Sequence, residues 1–164
     1  MNAPQALWNL QAQGRARRLT RAASALGPQL RGKRLDTAAA VQLLSAVIES
    51  GDRVCLEGNN QKQADFLARS LTQLDPAQVH DLHMVQSVVA LPEHLDLFEL
   101  GIASKLDFSF SGPQSARLAQ MVSKGQIQIG AIHTYLELFG RYFVDLTPQV
   151  SLVCAQSADA QGNL

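Results

Sequence analysis

Two features of the sequence predict an α/β fold built on a doubly wound, mostly parallel sheet. From residue 36 onward helix-like and strand-like segments alternate, with short turn signals between them. Five strand-like runs are separated by four helical ones, a rhythm that parallel pairing with right-handed crossovers requires. The chain has 164 residues, enough to bury roughly 68–70% of its unfolded surface around one core.

Each element follows from local chemistry. Asp36 or Thr37 can cap a helix through AAAVQLLSAVIE, where Val41, Leu44 and Ile48 share a face and Ser50-Gly51-Asp52 ends it. RVCLE reads as the first strand. After Gly58-Asn59-Asn60, QKQADFLARSLTQL reads as a helix that either asparagine can cap, and Asp75-Pro76 ends it. The second strand lies within VHDLHMVQSVVA, and EHLDLFELGIA follows as a helix in which His94 is expected on the surface. LDFSF alternates like a half-buried strand. Ser111-Gly112-Pro113 leads into the helix QSARLAQMVSK, which Gly125 stops. QIQIGAIH, YLELFGRYF and VSLVCAQ complete the pattern as strand, helix and strand.

Residues 1–35 carry no acidic side chain but hold Arg15, Arg17, Arg18, Arg21, Arg31, Lys33 and Arg34. Transit peptides share this bias, but a solvated helix covering the domain explains it too, with Trp8, Leu19 and Leu26 as packing anchors and Gly27-Pro28 as its break. The expected organisation is a basic helical segment at 1–35 and an α/β domain at 36–164. The closing run ADAQGNL is a polar turn with nothing after it. The chain is therefore expected to be only the amino-terminal half of a longer protein.

Composition narrows the function. The net charge is zero, with 46% hydrophobic and 17% charged residues, so no basic excess points to nucleic acid or an anionic membrane. No apolar run approaches the roughly 20 residues needed to cross a bilayer, and a cytoplasmic location is expected. Cys55 and Cys154 each sit in an apolar run, as small buried hydrophobes do, and the absence of CxxC argues against a zinc or redox pair. His80 and His83 have an offset that sends side chains to opposite faces of a strand, so no metal site is expected.

In parallel α/β sheets ligands bind outside the carboxyl ends of the strands. That rule selects Glu57 through Gln61, Gln86 and Ser87, Ser111 and Gly112, His133 and Thr134, and Gln156 and Ser157. Of these, Gly58, Asn59, Asn60, Gln61, Gln86, Ser111, Gly112 and His133 are the expected substrate-binding residues. Gly58 lets the backbone approach a ligand, and the two asparagines offer amides suited to an oxyanion or carboxylate, or simply cap the next helix. The sequence lacks GxxxxGK[ST], GxGxxG and GxSxG, which argues against a nucleotide triphosphatase, a dinucleotide enzyme and a serine hydrolase. Pattern alone names no reaction.

Three long strings carry a resemblance: LEGNNQKQADFLARSL, VHDLHMVQSVVALPEHLDLFELGIASKLDFSFSGPQSARL and IQIGAIHTYLELFGRYFVDLTP. Together they closely resemble the alpha subunit of bacterial malonate decarboxylase, and the ending VSLVCAQSADAQGNL is similar to the aspartate-to-GN turn of coenzyme A transferases. The resemblance implies a coenzyme A transferase-like fold and an acyl-carrier-protein transferase that exchanges acetyl for malonyl on the carrier thiol, releasing acetate. It implies no directly bound cofactor, a phosphopantetheine-type, dephospho-coenzyme A-derived group on the carrier, and the other malonate decarboxylase subunits as partners. In related transferases a glutamate attacks the thioester to give a mixed anhydride, and it lies in the carboxyl-terminal half. The nucleophile is thus expected beyond Leu164, with Glu57 the candidate inside this chain, and the chain alone is expected to be inactive. Those transferases usually carry a glycine-rich loop where this sequence has Glu57-Gly58-Asn59-Asn60-Gln61. Two alternatives are a carrier-docking domain without chemistry and a coenzyme A or citrate lyase-type transferase for another acid.

Overall fold

The computed structural model describes residues 3–32, 34–57, 64–155, 157–161 and 163. Helix α1 (Ala3–Leu26) passes through a 3-10 turn (Gly27–Gly32) into α2 (Thr37–Val47). There follow β1 (Arg53–Leu56), α3 (Asp65–Leu71), β2 (Leu82–Val88), α4 (Pro92–Glu99), β3 (Ala103–Phe110), α5 (Ser115–Ser123), β4 (Gln128–Ile132), α6 (Tyr135–Arg141) and β5 (Val150–Leu152). All five strands pair in parallel in the order β4-β3-β2-β1-β5, as the alternating pattern predicts.

That order places the helices. The chain steps outward from β1 to β4 with α3, α4 and α5 on one face, then returns to the far side of β1 through α6 on the other. Crossovers of one hand require the change of face when the direction reverses. On the first face Val54, Leu56, Leu82, Met84 and Leu106 meet Leu44, Ala68, Leu71, Leu95, Leu97, Leu118 and Met121 of the helices in one core. Each large side chain so enclosed contributes about 1.5–3 kcal/mol. The second face is thinner, with Val85 packed against Leu138, Leu146 and Tyr142.

Local signals set the helix starts. The Asp36 carboxylate accepts from the Ala39 N–H at 2.8 Å, and the Thr134 hydroxyl accepts from the Glu137 N–H at 3.1 Å, closing the first turns of α2 and α6. In the final turn the Asp159 carboxylate accepts from the backbone N–H groups of Gln161 and Asn163 at 2.8 and 2.9 Å.

Helix α1 is held by charge more than by its expected anchors. Trp8 and Leu19 are 64% and 68% exposed, whereas Leu26 and the smaller Ala22 are buried. Trp8 shares the helical face of Leu26 but lies more than two turns before Arg18, which meets the end of α2, so α2 does not cover it. Instead the Arg18 guanidinium donates to both Asp52 oxygens at 2.5 and 2.9 Å, to Glu49 at 2.9 Å and to the Val47 carbonyl at 2.6 Å. Arg21 adds a 2.5 Å contact to Glu49. Part of the basic bias of residues 1–35 is therefore spent on the domain. His94 departs from its expected surface position: it is fully buried on the sheet side of α4 with Leu95, Leu97 and Phe98.

Candidate functional site at the strand switch point

The strand order reverses between β1 and β5, and such a switch point opens a crevice at the carboxyl ends of the strands. A cavity of about 280 Å³ lies there on the α6 face, lined by Cys55, Glu57, Ser87, Tyr142, Pro148, Ser151 and Val153. Alternation brings these residues together, because Cys55 and Glu57, Val85 and Ser87, and Ser151 and Val153 are spaced by two along neighbouring strands. Registers Cys55 to Val85 and Cys55 to Ser151 align the three strands. Tyr142, just past α6, reaches down so that its hydroxyl stands 3.4 Å from the Cys55 sulfur. Burial pushes the Cys55 thiol up, weakening it as a nucleophile. Burial also raises Tyr142 far above its ordinary value, so the phenol stays protonated. The wall thus offers a phenolic donor, two serine hydroxyls and one carboxylate.

A second constellation spans β2, β3 and the end of β4. The buried Asp107 carboxylate receives His83 Nε2 at 2.6 Å on one oxygen and His133 Nε2 at 2.7 Å on the other. Burial alone would raise Asp107, but the hydrogen bonds from His133 and His83 outweigh it and hold the carboxyl below its usual range. Burial pushes His83 down, only partly offset by Asp107. A neutral His83 also suits the Arg53 Nε–H, which points at its Nδ1 from 3.5 Å. His133 Nδ1 lies 3.2 Å from Glu137 of α6, off the hydrogen-bonding angle. Gly130 makes room for this arrangement: a Cβ there would stand 1.9 Å from an Asp107 oxygen. Among the described residues, no group of three or more His, Cys, Asp and Glu is placed to hold a metal ion.

The structure disperses the residues selected from sequence. Glu57 lines the switch-point cavity, while Gly58, Asn59, Asn60 and Gln61 lie outside the described residues. Gln86 is fully buried on the opposite face of the sheet, and neither end of its amide has a hydrogen-bond partner among the described residues. Ser111 pairs with Ser115 at 3.0 Å, and Gly112 turns the chain with φ of 49° beside Phe110. The His133 imidazole is committed to Asp107. His80 precedes β2 and bonds Asp81 at 2.9 Å, so only His83 of that pair sits in the strand. Cys55, Asp107, Tyr142 and Ser151 were not selected from sequence. Cys55 and Tyr142 are 87 residues apart, and no spacing rule links them. Period-two alternation placed Asp107 and Ser151 on a strand face without saying what they would meet.

The chain matches, over residues 7–164, the family described as malonate decarboxylase, alpha subunit, transporter. It belongs to the malonate decarboxylase alpha subunit family. A curated member, the acetyl-S-ACP:malonate ACP transferase of Malonomonas rubra, is 60% identical over 124 residues, covering 76% of this chain and 22% of that protein. A chain of a Pseudomonas malonate decarboxylase hetero-tetramer crystallised with malonate superposes with a TM-score of 0.84 at 53% identity, covering 99% of this chain and 29% of its own. The malonate decarboxylase alpha subunit of Acinetobacter baumannii gives 0.81 at 48% identity, covering 93% and 28%. The chain thus spans about a fifth of the curated relative, and the sheet with its switch-point cavity is the part of the family fold that it contains. No described helix is long and apolar enough to cross a membrane.

Proposed function

We propose that the protein containing this chain is the acyl-carrier-protein transferase subunit of a malonate decarboxylase. It exchanges acetyl for malonyl on a carrier thiol: an acetyl thioester and malonate give a malonyl thioester and acetate. One thioester is broken as one is made, so the exchange is close to balanced in energy and needs no nucleotide. The observation that carries this reading is the 60% identity to an acetyl-S-ACP:malonate ACP transferase, in a chain whose switch point holds a cavity bordered by Glu57. The acyl group rides on a dephospho-coenzyme A-derived arm of the carrier, and the partners are that carrier and the remaining decarboxylase subunits, in the cytoplasm.

Within this chain the transferase domain is residues 36–164, with 1–35 as a helical cover. Gly58, Asn59, Asn60 and Gln61, next after Glu57, are proposed to meet the acid or the developing oxyanion. The main nucleophile is proposed to lie outside this chain, with Glu57 as the alternative within it. Mass spectrometry of acetylated carrier incubated with malonate and the intact subunit tests the reading. Malonyl carrier together with acetate supports it, and malonyl carrier absent under conditions where the subunit is folded overturns it.

One observation favours a second reading, docking without chemistry. Leu136, Phe139, Phe143 and Val144 stand exposed on and after α6, with the Phe139 and Phe143 rings in edge contact, and exposed apolar groups of this kind mark interaction surfaces. A subunit that binds the carrier yet leaves its acetyl group in place would support that reading.

A further inference from the structure

The inward stripe of α1 continues past the helix that covers it. Trp8, Gln11, Arg15, Arg18, Ala22 and Leu26 follow one another by three or four residues and so share one face of the helix. Ala22 and Leu26 are buried, and Arg18 pairs with Glu49 and Asp52. Trp8, Gln11 and Arg15 instead look across a groove of about 430 Å³ at Phe143, Val144 and Thr147 in the connection from α6 to β5. Phe143 and Val144 stay 75% and 81% exposed, so the two walls do not close on each other. Trp, Phe and Arg side chains gathered in one groove are the groups that anchor protein–protein contacts. The groove also carries one sign of charge. Helix α1 runs 24 residues without an acidic side chain, and residues 1–7 contain no charged side chain. Arg18 and Arg21 are matched by Glu49 and Asp52, whereas Arg15 has no hydrogen bond or ion pair among the described residues. Asp145, the acidic residue of the facing connection, is held by Arg141.

We propose that this groove docks an acidic amphipathic helix of the carrier protein, with an apolar side chain between Trp8 and Val144 and a carboxylate on Arg15. The inference takes the carrier as partner from the reading above and adds where it binds. Position selects that partner. Tyr142 lines both this groove and the strand-switch cavity, so a protein seated here stands beside the cavity to which its arm must be delivered. The free Arg15 guanidinium and the basic run of α1 attract an acidic surface and speed its approach.

The test measures the Kd of fluorescently labelled carrier protein for the intact subunit by anisotropy. Arg15→Glu reverses the free charge, and Val144→Asp puts a carboxylate on the apolar wall. Both side chains are exposed, so Tm should hold. Each variant is expected to raise Kd about tenfold or more. Arg31→Glu makes the same charge change at an exposed position outside the groove and should leave Kd within twofold. Wild-type binding should weaken as salt rises, and less so in Arg15→Glu. A Kd unchanged in both groove variants, or raised as much by Arg31→Glu, overturns the proposal. So does a lower Tm or an altered oligomeric state with carrier binding intact, which would give the groove to the rest of the subunit or to a second copy. A wild-type subunit that binds the carrier through this groove but leaves its acetyl group in place loses the transferase reading and keeps the docking site.

Discussion

Replacing Gly130 with alanine tests the carboxylate bridge between β2, β3 and β4 through a single methyl group. The backbone there does not require glycine for its conformation, since Gly130 is not among the residues with positive φ. The conflict is spatial: the new Cβ would stand 1.9 Å from one Asp107 oxygen, 2.7 Å from its Cγ and 3.0 Å from the other oxygen. Asp107 is short and held at both oxygens, so it moves only by giving up the 2.6 and 2.7 Å contacts to His83 and His133. Hydrogen bonds to a charged group contribute about 1.5–3 kcal/mol each, and forcing a strand apart instead costs about 1–3 kcal/mol. The cheaper route gives an expected loss of about 1–3 kcal/mol. Urea unfolding of the intact subunit at neutral pH measures it. Asp107 is held below its ordinary range when folded, so its contribution is present above about pH 4 and is lost as pH falls through the depressed value. The gap between wild type and variant should therefore narrow in acid. In Asp107→Ala the added methyl has room, and Gly130→Ala should cost little there. A Gly130→Ala protein as stable as wild type would refute this account of the bridge.

Three further outcomes follow from other parts of the molecule. His94 is pushed down to about 4 by burial, only partly offset by the Val88 backbone. A lowered histidine stabilises fully above its ordinary value near 6.5 and loses that contribution as pH falls toward 4, up to about 3 kcal/mol in all. His94→Leu should flatten this part of the stability profile, and an unchanged profile would contradict the assignment. Arg18→Ala leaves the buried Asp52 without its paired guanidinium and should cost about 3–5 kcal/mol, with α1 becoming the first site of limited proteolysis. For the loop after β1, Asn59→Ala or Asn60→Ala should cut turnover by about a hundred- to thousandfold if the residue donates to an oxyanion. Neither asparagine caps the following helix, because α3 begins at Asp65 with Ala64 at its N-cap and no side-chain cap. Turnover and Tm measured on each variant check this, and normal turnover in both would remove the asparagines from the site.

The parallel sheet and the place of every strand were legible because alternation and turn residues are local signals. RVCLE contains β1 (Arg53–Leu56) and QIQIGAIH contains β4 (Gln128–Ile132). Burial within helices was less legible. His94, Leu97 and Phe98 have the i, i+3, i+4 spacing of a buried face, yet a histidine beside glutamate and aspartate reads as surface until the sheet behind it is known. Trp8 misled in the opposite sense, since helical periodicity gives the face of a residue and not how far along the helix its neighbour extends. The cavity was half legible. Glu57 and Ser87 follow from the strand-end rule, whereas Tyr142 arrives from α6 across 87 residues of sequence. Asp107, His83 and His133 meet only because β3 lies between β2 and β4.

Acyl exchange on a carrier thiol is the central claim. Its most direct measurement is the mass of carrier protein after incubation of the acetylated form with malonate and the intact subunit. The account predicts conversion of acetyl carrier to malonyl carrier with an equal amount of acetate released and no nucleotide consumed. Carrier that keeps its acetyl group, or that loses it to water without gaining malonyl, would contradict it.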